Sequence, residues 1–519
     1  MKKLLYRIGK TIFICLLLGE ITITPFNSLS FSSVKATDVK VETINEKTML
    51  SDGQFVYGPN VNDFDLYKYL KEKAPHLLPY YNNLYYYSLS PSINPRVILT
   101  LLELRNSIIS STTDIEERLK DPLRIDNSGF EKELDLVTTK LNGFFYYILN
   151  KYYKTSLEKR EDLKLNLNDG NTILLSKNIN AGTYALLATF SDLMGKEELE
   201  IFNSNLDNKS FYNTYISLFP ESDPFSQQNM LDTVTPPSAD LLQFPYPIGE
   251  SWYYNGVHSY SIGGSDRSSI DFSTSSTFPS WGTSTSNSWA VAAFPGTITK
   301  HTNEQGVSCG ATIDYGDGWQ VYYYHLQNIQ DYTNNKIKRN EKVGNLADSE
   351  AKATCLGGAA SGEHVHFSLK KNGALYDVDG SNLSLWTVHS GVNSYETDCT
   401  LMYLHRTLRG EEEKKCPIGG TSPNSVNNDG PFGGDNPNTN GTVFWGDNVK
   451  DRVGLAEVKN TITIEDTTVD NSKSFIINGN VNKKNELTLK AGSTIYLKNG
   501  FKAEEGSKFN ASIDVTLNP

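Results

Sequence analysis

The run Gly362-Glu363-His364-Val365-His366-Phe367-Ser368-Leu369-Lys370 decides how the centre of the chain folds. Side chains alternate faces along a strand, so His364, His366 and Ser368 share one side and Val365, Phe367 and Leu369 the other. The apolar side requires a core beneath it. The opposite side projects two imidazoles toward one region, which suits a metal, or a metal with a catalytic base. For the pair alone, two exposed histidines on a polar face is the competing reading. Trp289–Phe294, Ala311–Tyr315 and Trp319–Leu326 are also strand-like, and Gly, Asn and Ser clusters separate them. Together they predict a mostly antiparallel β domain over residues 251–416.

The chain has 519 residues, and at roughly 150 per domain it holds several domains rather than one. Hydrophobic residues make up 38%, enough for packed cores, which excludes wholesale disorder. Forty-eight Lys and Arg against 60 Asp and Glu leave a net charge of −12. With no basic run to offset it, that balance argues against a nucleic-acid partner. Beyond the N-terminus no apolar stretch approaches the roughly 20 residues of a membrane span, which excludes a multi-pass protein.

Residues 1–36 read as an export signal. Lys2, Lys3, Arg7 and Lys10 precede the apolar run Thr11–Leu18, and Val34-Lys35-Ala36 offers the small residues a signal peptidase reads. Glu20 interrupts the run too early for a membrane anchor. The expected location is therefore secreted or extracellular, with periplasm or cell surface as alternatives and no membrane association after signal removal. Of five cysteines, Cys15 leaves with the signal. Cys309, Cys355, Cys399 and Cys416 remain for two disulfides, with three connectivities open. No Cys-x-x-Cys pair supports zinc ligation by cysteine instead.

Residues 37–232 read as mainly helical. Asp63–Lys73, Pro95–Leu104, Glu131–Tyr153 and Gly182–Leu193 carry apolar residues at three- and four-residue intervals, and Pro95 sits where a helix start tolerates it. The Pro-rich stretch 233–250 reads as a linker with a processing site. Residues 417–442, rich in Gly, Asn, Pro and Ser, read as a flexible linker. A small all-β C-terminal module over 443–519 is expected, where Lys490–Ile495 and Lys502–Phe509 echo each other as stacked β turns would.

The residues that carry chemistry fall in order. His258 precedes Asp271, His325 ends Tyr322-Tyr323-Tyr324-His325, and His364 and His366 follow. Two neutral imidazoles and one carboxylate supply three zinc ligands and leave a fourth position for water, the catalytic rather than the structural arrangement. Two histidines are then left over for proton transfer. HExxH is absent, so a glutamate base of that kind is not expected.

Residues 250–416 resemble the lysostaphin-type zinc metallopeptidase family, in its staphylolysin (LasA) and β-lytic endopeptidase branch. His-x(n)-Asp followed by His-x-His carries the family resemblance, and Ser268–Ser273, Tyr322–Gln330 and Cys355–His366 carry that of the branch. The resemblance implies that His258, Asp271 and His366 bind Zn2+ and that His325 and His364 are the catalytic histidines. It implies that Tyr324 and Tyr395 line the site, with plain aromatic packing as their alternative. It pairs Cys309 with Cys355 and Cys399 with Cys416. It further implies a helical pro-region, hence a zymogen, and cleavage at or near glycine in peptidoglycan cross-bridges or glycine-rich peptides. A monomer is expected.

Two other readings compete. Ser92–Glu103 faintly resembles the helix that carries the catalytic glutamate of lytic transglycosylases, although Leu104 stands where that motif has Ser. A catalytically inactive cell-wall-binding protein is the other. Degenerate members of that kind lose zinc ligands, whereas all five residues of the set are present here.

Overall fold

The structure, a computed structural model, describes residues 41–430 apart from short stretches, of which 227–235 is the longest, together with the backbone of short strands between 461 and 513. The expected export signal and residues 431–460 lie outside the described residues.

The N-terminal region carries helices α1 (Leu66–Lys73), α2 (Tyr81–Leu89), α3 (Pro95–Asn106), α4 (Phe130–Tyr153), α5 (Ala181–Phe190) and α6 (Phe211–Leu218). Helix starts leave backbone N–H groups without partners, and short polar side chains supply them. Asp65 accepts from the Lys68 N–H at α1, and Asn94 from the Arg96 N–H at α3, where Pro95 occupies the first turn. Every residue of α5 is buried, as befits a central helix apolar on all sides. Helix α2 escaped the periodicity reading because its tyrosines fall on consecutive positions and mark no single face. The region is also not purely helical: Val41–Thr43, Leu163–Asn166 and Thr172–Leu175 form a small sheet.

The β domain is built on an antiparallel sheet. Its main strands are β1 (Ser251–His258), β2 (Ser269–Ser273), β3 (Gly296–Thr302), β4 (Ser308–Gly316), β5 (Trp319–Tyr324), β6 (Val365–Lys371) and β7 (Ser425–Asn427). Across the sheet they run β3-β4-β5-β6-β2-β1-β7. Val365, Phe367 and Leu369 are fully buried, sharing a core with Ile270, Phe272, Val321 and Tyr323. At roughly 1.5–3 kcal/mol for each large apolar side chain, that face fixes the register of β6. A one-residue slip would send the histidines into the core.

Both expected linkers are shorter than composition implied. Leu241, Leu242, Phe244 and Tyr246, inside the expected 233–250 linker, are buried in the β core, and the Gln243 N–H donates to the Ala293 carbonyl at 3.0 Å. The prolines masked these anchors. In the same way, β7 lies inside the expected 417–442 linker, where Val426 is buried and pairs with Trp252 of β1. Two disulfides join Cys309 to Cys355 and Cys399 to Cys416.

In the C-terminal module, Thr461–Glu465 pairs in parallel with Glu486–Ala491, which pairs in parallel with Lys508–Ile513. Ser474–Ile477 with Thr494–Leu497, and Asn480–Val481 with Lys502–Ala503, repeat the pattern. Successive turns therefore stack in register, which suits the short repeat seen in the sequence.

Candidate active site

Three neighbouring strands bring the site together. His366 of β6 lies opposite Asp271 of β2 on one side and Tyr324 of β5 on the other. On β1 a register shift between Tyr254 and Gly256 precedes His258, which falls opposite Ser269. Directly opposed residues share a face, so His258, Ser269, Asp271, His366, Ser368, Tyr322 and Tyr324 project from one side of the sheet. His364 immediately precedes β6. His325 follows β5 with φ at 63°, a left-handed conformation uncommon outside glycine, and its ring centroid lies 4.7 Å from that of His364.

Donor atoms of His258, Asp271 and His366 lie within 4.8 Å of one another. His258 Nε2 is 3.1 Å and His366 Nδ1 3.4 Å from Asp271 Oδ1. The other nitrogen of each ring is already engaged. His258 Nδ1 lies 3.0 Å from the Ser259 carbonyl, so it carries the proton and donates it there. His366 Nε2 lies 2.7 Å from Ser368 Oγ, whose own neighbour is Ser269 Oγ at 2.7 Å. Such outer partners fix tautomer and ring orientation in metal sites. Two imidazole nitrogens and one carboxylate oxygen, oriented in this way, fit a divalent transition metal with a further position left for water.

The remaining two histidines are arranged alike. His325 Nδ1 lies 3.0 Å from the Ala353 carbonyl and His364 Nδ1 lies 2.8 Å from the Gly362 carbonyl. Each therefore presents Nε2 as a proton acceptor. His364 Nε2 stands 3.6 Å from Asp271 Oδ2.

Electrostatics follow from one buried carboxylate among imidazoles. Burial pushes Asp271 up, but His258, His364 and His366 outweigh it and hold the carboxyl well below the usual range. Burial lowers His258, yet Asp271 more than compensates, so its pKa is raised. A proton thus competes with a metal for that ligand. Burial, then His364 and His366, drive His325 well below the usual imidazole value, keeping it neutral.

The two tyrosines differ. The Tyr395 hydroxyl donates to Asp271 Oδ2 at 2.7 Å, and its ring stacks on His258 at 4.7 Å. The Tyr324 hydroxyl instead donates to the Gly357 carbonyl at 2.9 Å, and its ring lies 4.6 Å from His325. Histidines alone do not make such a site. On Trp386–Ser390 and Met402–Leu408, His389 and His405 also share a face, 6.1 Å apart, but there Lys414 sits over Tyr403 and the added charge is positive.

Known proteins resemble this chain in both its helical and its β region. Residues 282–378 match the model of peptidase family M23, and residues 48–232 match that of the LasA N-terminal domain. Protease LasA of Pseudomonas aeruginosa is 29% identical over 369 residues, covering 70% of this chain and 82% of that one. The beta-lytic metalloendopeptidase of Lysobacter enzymogenes is 37% identical over 166 residues, covering 32% of this chain and 88% of the relative. The chain belongs to peptidase family M23. It is a metalloendopeptidase. The solved structure of the M23 metalloprotease pseudoalterin is 28% identical, with a TM-score of 0.31, over 36% of this chain and 98% of that one.

In this M23 peptidase the helical region lies against the same sheet face. Tyr86 of α2 packs on Gly357 and Gly358, its ring 5.8 Å from that of Tyr324. A side chain at Gly358, where φ is +76°, would collide with the Tyr86 hydroxyl. The Tyr85 hydroxyl lies 2.7 Å from His301 Nδ1, and Lys370 Nζ donates to the Leu89 carbonyl at 2.8 Å. Sequence reading passed over His301 and Lys370. Lys370 was legible as the next residue of the His366, Ser368 alternation, whereas His301 sits in no motif. Glu103, the candidate glycosidase carboxylate, accepts from the N–H groups of Ile109 and Ser110 at 2.9 and 3.0 Å and from the Ser110 hydroxyl. It anchors the turn after α3, which leaves the transglycosylase reading without its acid.

Proposed function

We propose that the chain is a secreted zinc metalloendopeptidase that hydrolyses peptide bonds at or near glycine in peptidoglycan cross-bridges and is made as a zymogen. The observation that carries this reading is a two-imidazole, one-carboxylate cluster flanked by two further imidazoles whose Nδ1 atoms are held by main-chain carbonyls. His258, Asp271 and His366 hold the zinc. When bound, zinc lowers the pKa of water to about 7 and polarises the scissile carbonyl.

The chain's own groups do the rest. His325 and His364 hold their Nδ1 protons on main-chain carbonyls, so each offers Nε2 toward the cluster. One takes a proton from the attacking water at Nε2 and returns it to the leaving amine, while the other, once its Nε2 also carries a proton, donates to the developing oxyanion. Tyr395 holds Asp271 through Oδ2, which leaves Oδ1 facing His258 and His366. Tyr324 stands between His325 and the Gly357-Gly358 turn. The close approach of α2 to that turn supports the zymogen reading, with release following a cut before Leu241, where the buried β-domain segment begins.

The test uses the full-length chain, folded and then nicked between the helical region and Leu241. Cleavage of pentaglycine peptides and cell walls, abolished by a chelator and absent before nicking, is the expected outcome. One zinc per chain without glycine-peptide cleavage would overturn the substrate. Equal activity before and after nicking would overturn the zymogen.

A further inference from the structure

The face of β6 that carries His366 continues through Ser368 to Lys370, and the far end has a chemistry of its own. Lys370 is 2% exposed, and its ammonium has one hydrogen-bond acceptor, the carbonyl of Leu89 at the C-terminal end of α2. That carbonyl carries the partial negative charge of a helix end. Nζ also lies 5.4 Å from the centroid of Tyr322, whose fully buried hydroxyl has no hydrogen-bond partner. His301, across β4, completes the basin: Tyr85 of α2 holds its Nδ1 and Thr312 its Nε2, each at 2.7 Å. Among the described residues no carboxylate pairs with Lys370. Two of the groups that cap this basin, the Leu89 carbonyl and the Tyr85 hydroxyl, belong to the helical region.

We infer that Lys370, with Tyr322 and His301, forms a subsite for a carboxylate of the peptide substrate, which the Leu89 carbonyl fills while the helical region is in place. This rests on the peptidase reading above. Removing α2 leaves an ammonium, a phenol and an imidazole without their caps on the sheet face, an assembly of donors that an ionised acceptor satisfies best. Burial pushes the Lys370 ammonium down to about 7, and uncovering it restores full charge. Four residues along a strand span roughly 13 Å, so the carboxylate recognised lies three or four residues from the scissile bond in an extended peptide. The inferred substrate is thus a glycine segment attached to an acidic peptide, rather than glycine alone.

The experiment uses the folded full-length chain, nicked and freed of its helical fragment. The substrates are paired peptides with a Gly-Gly bond and either Glu or Gln three or four residues away, on either side. The wild type is expected to prefer a Glu peptide about tenfold in kcat/KM, through KM. Lys370→Met brings the Glu-to-Gln ratio to about one, and Lys370→Arg restores most of it. Both disulfides and stoichiometric metal in each variant show that it folded. A wild type without preference, or a preference that survives in K370M, would overturn the subsite. A wild type that cuts neither peptide would overturn the glycine specificity instead. Anisotropy of a labelled Glu or Gln peptide binding to the same proteins would then decide the subsite by the same ratio.

Discussion

The two ends of one sheet face are electrostatic opposites. At one end a buried carboxylate, Asp271, stands among His258, His364 and His366. At the other, Lys370 and His301 are buried with no carboxylate beside them among the described residues and are capped by a carbonyl and a hydroxyl of α2. Burial penalises charge equally at both ends, yet the consequences diverge. Asp271 stays ionised because imidazoles surround it, and the cluster fits a metal cation. His301, with nothing to offset burial and with Lys370 adding to it, is driven down to about 3. Each end therefore specifies the charge of what must arrive there.

The sharpest way to break the comparison is at the carboxylate end. His366→Ala is expected to remove the metal and with it all activity, measured as zinc per purified chain. His364→Ala or His325→Ala should instead keep the metal and lower kcat by about 10²–10⁴. The reverse pattern between His364 and His366 would overturn the assignment of ligands. A smaller effect is expected at Tyr395, since Tyr395→Phe removes only the bond that orients Asp271. Metal affinity should weaken about 10–100-fold, read by chelator competition.

The opposite end is probed by pH. The pKa of His301 lies near 3 when covered, against about 6.5 when free, so the docked state binds fewer protons. The hold of the helical region is thus complete, as far as His301 is concerned, above about pH 6.5 and declines as pH falls toward 3. Lys370 acts in the same direction at higher pH, between its ordinary value near 10.4 and about 7. Retention of the helical fragment by the nicked chain should therefore fall steadily with acidification. His301→Gln should flatten the part below pH 6.5. Retention that rose in acid would show that the basin is not held as a cation-excluding interface.

Much of this was legible in the chain itself, for physical reasons. The His-Val-His alternation encodes both the strand and the site, because the same period that buries Val365 and Phe367 presents His366. Asn94-Pro95 marks the start of α3 because both residues serve the open end of a helix. What was not legible depends on pairing over distance. The cover formed by α2 is written in tyrosines with no period. Residues 241–246 read as a linker because their prolines hid their burial. His301 acquires meaning only when Tyr85, far away in sequence, comes to lie against it.

Both His325 and Tyr395 hold left-handed backbone conformations, with φ at 63° and 54°, at an expense of roughly 1–2 kcal/mol for each non-glycine residue. A chain selected for thermal endurance alone would place glycine at both positions. His325→Gly is accordingly expected to leave the β domain about 1 kcal/mol more stable than His325→Ala does, measured by denaturant unfolding, while lowering kcat to the same extent. Variants evolved toward greater heat resistance would thus meet a conflict at these two positions, where the most restful backbone belongs to an inert protein.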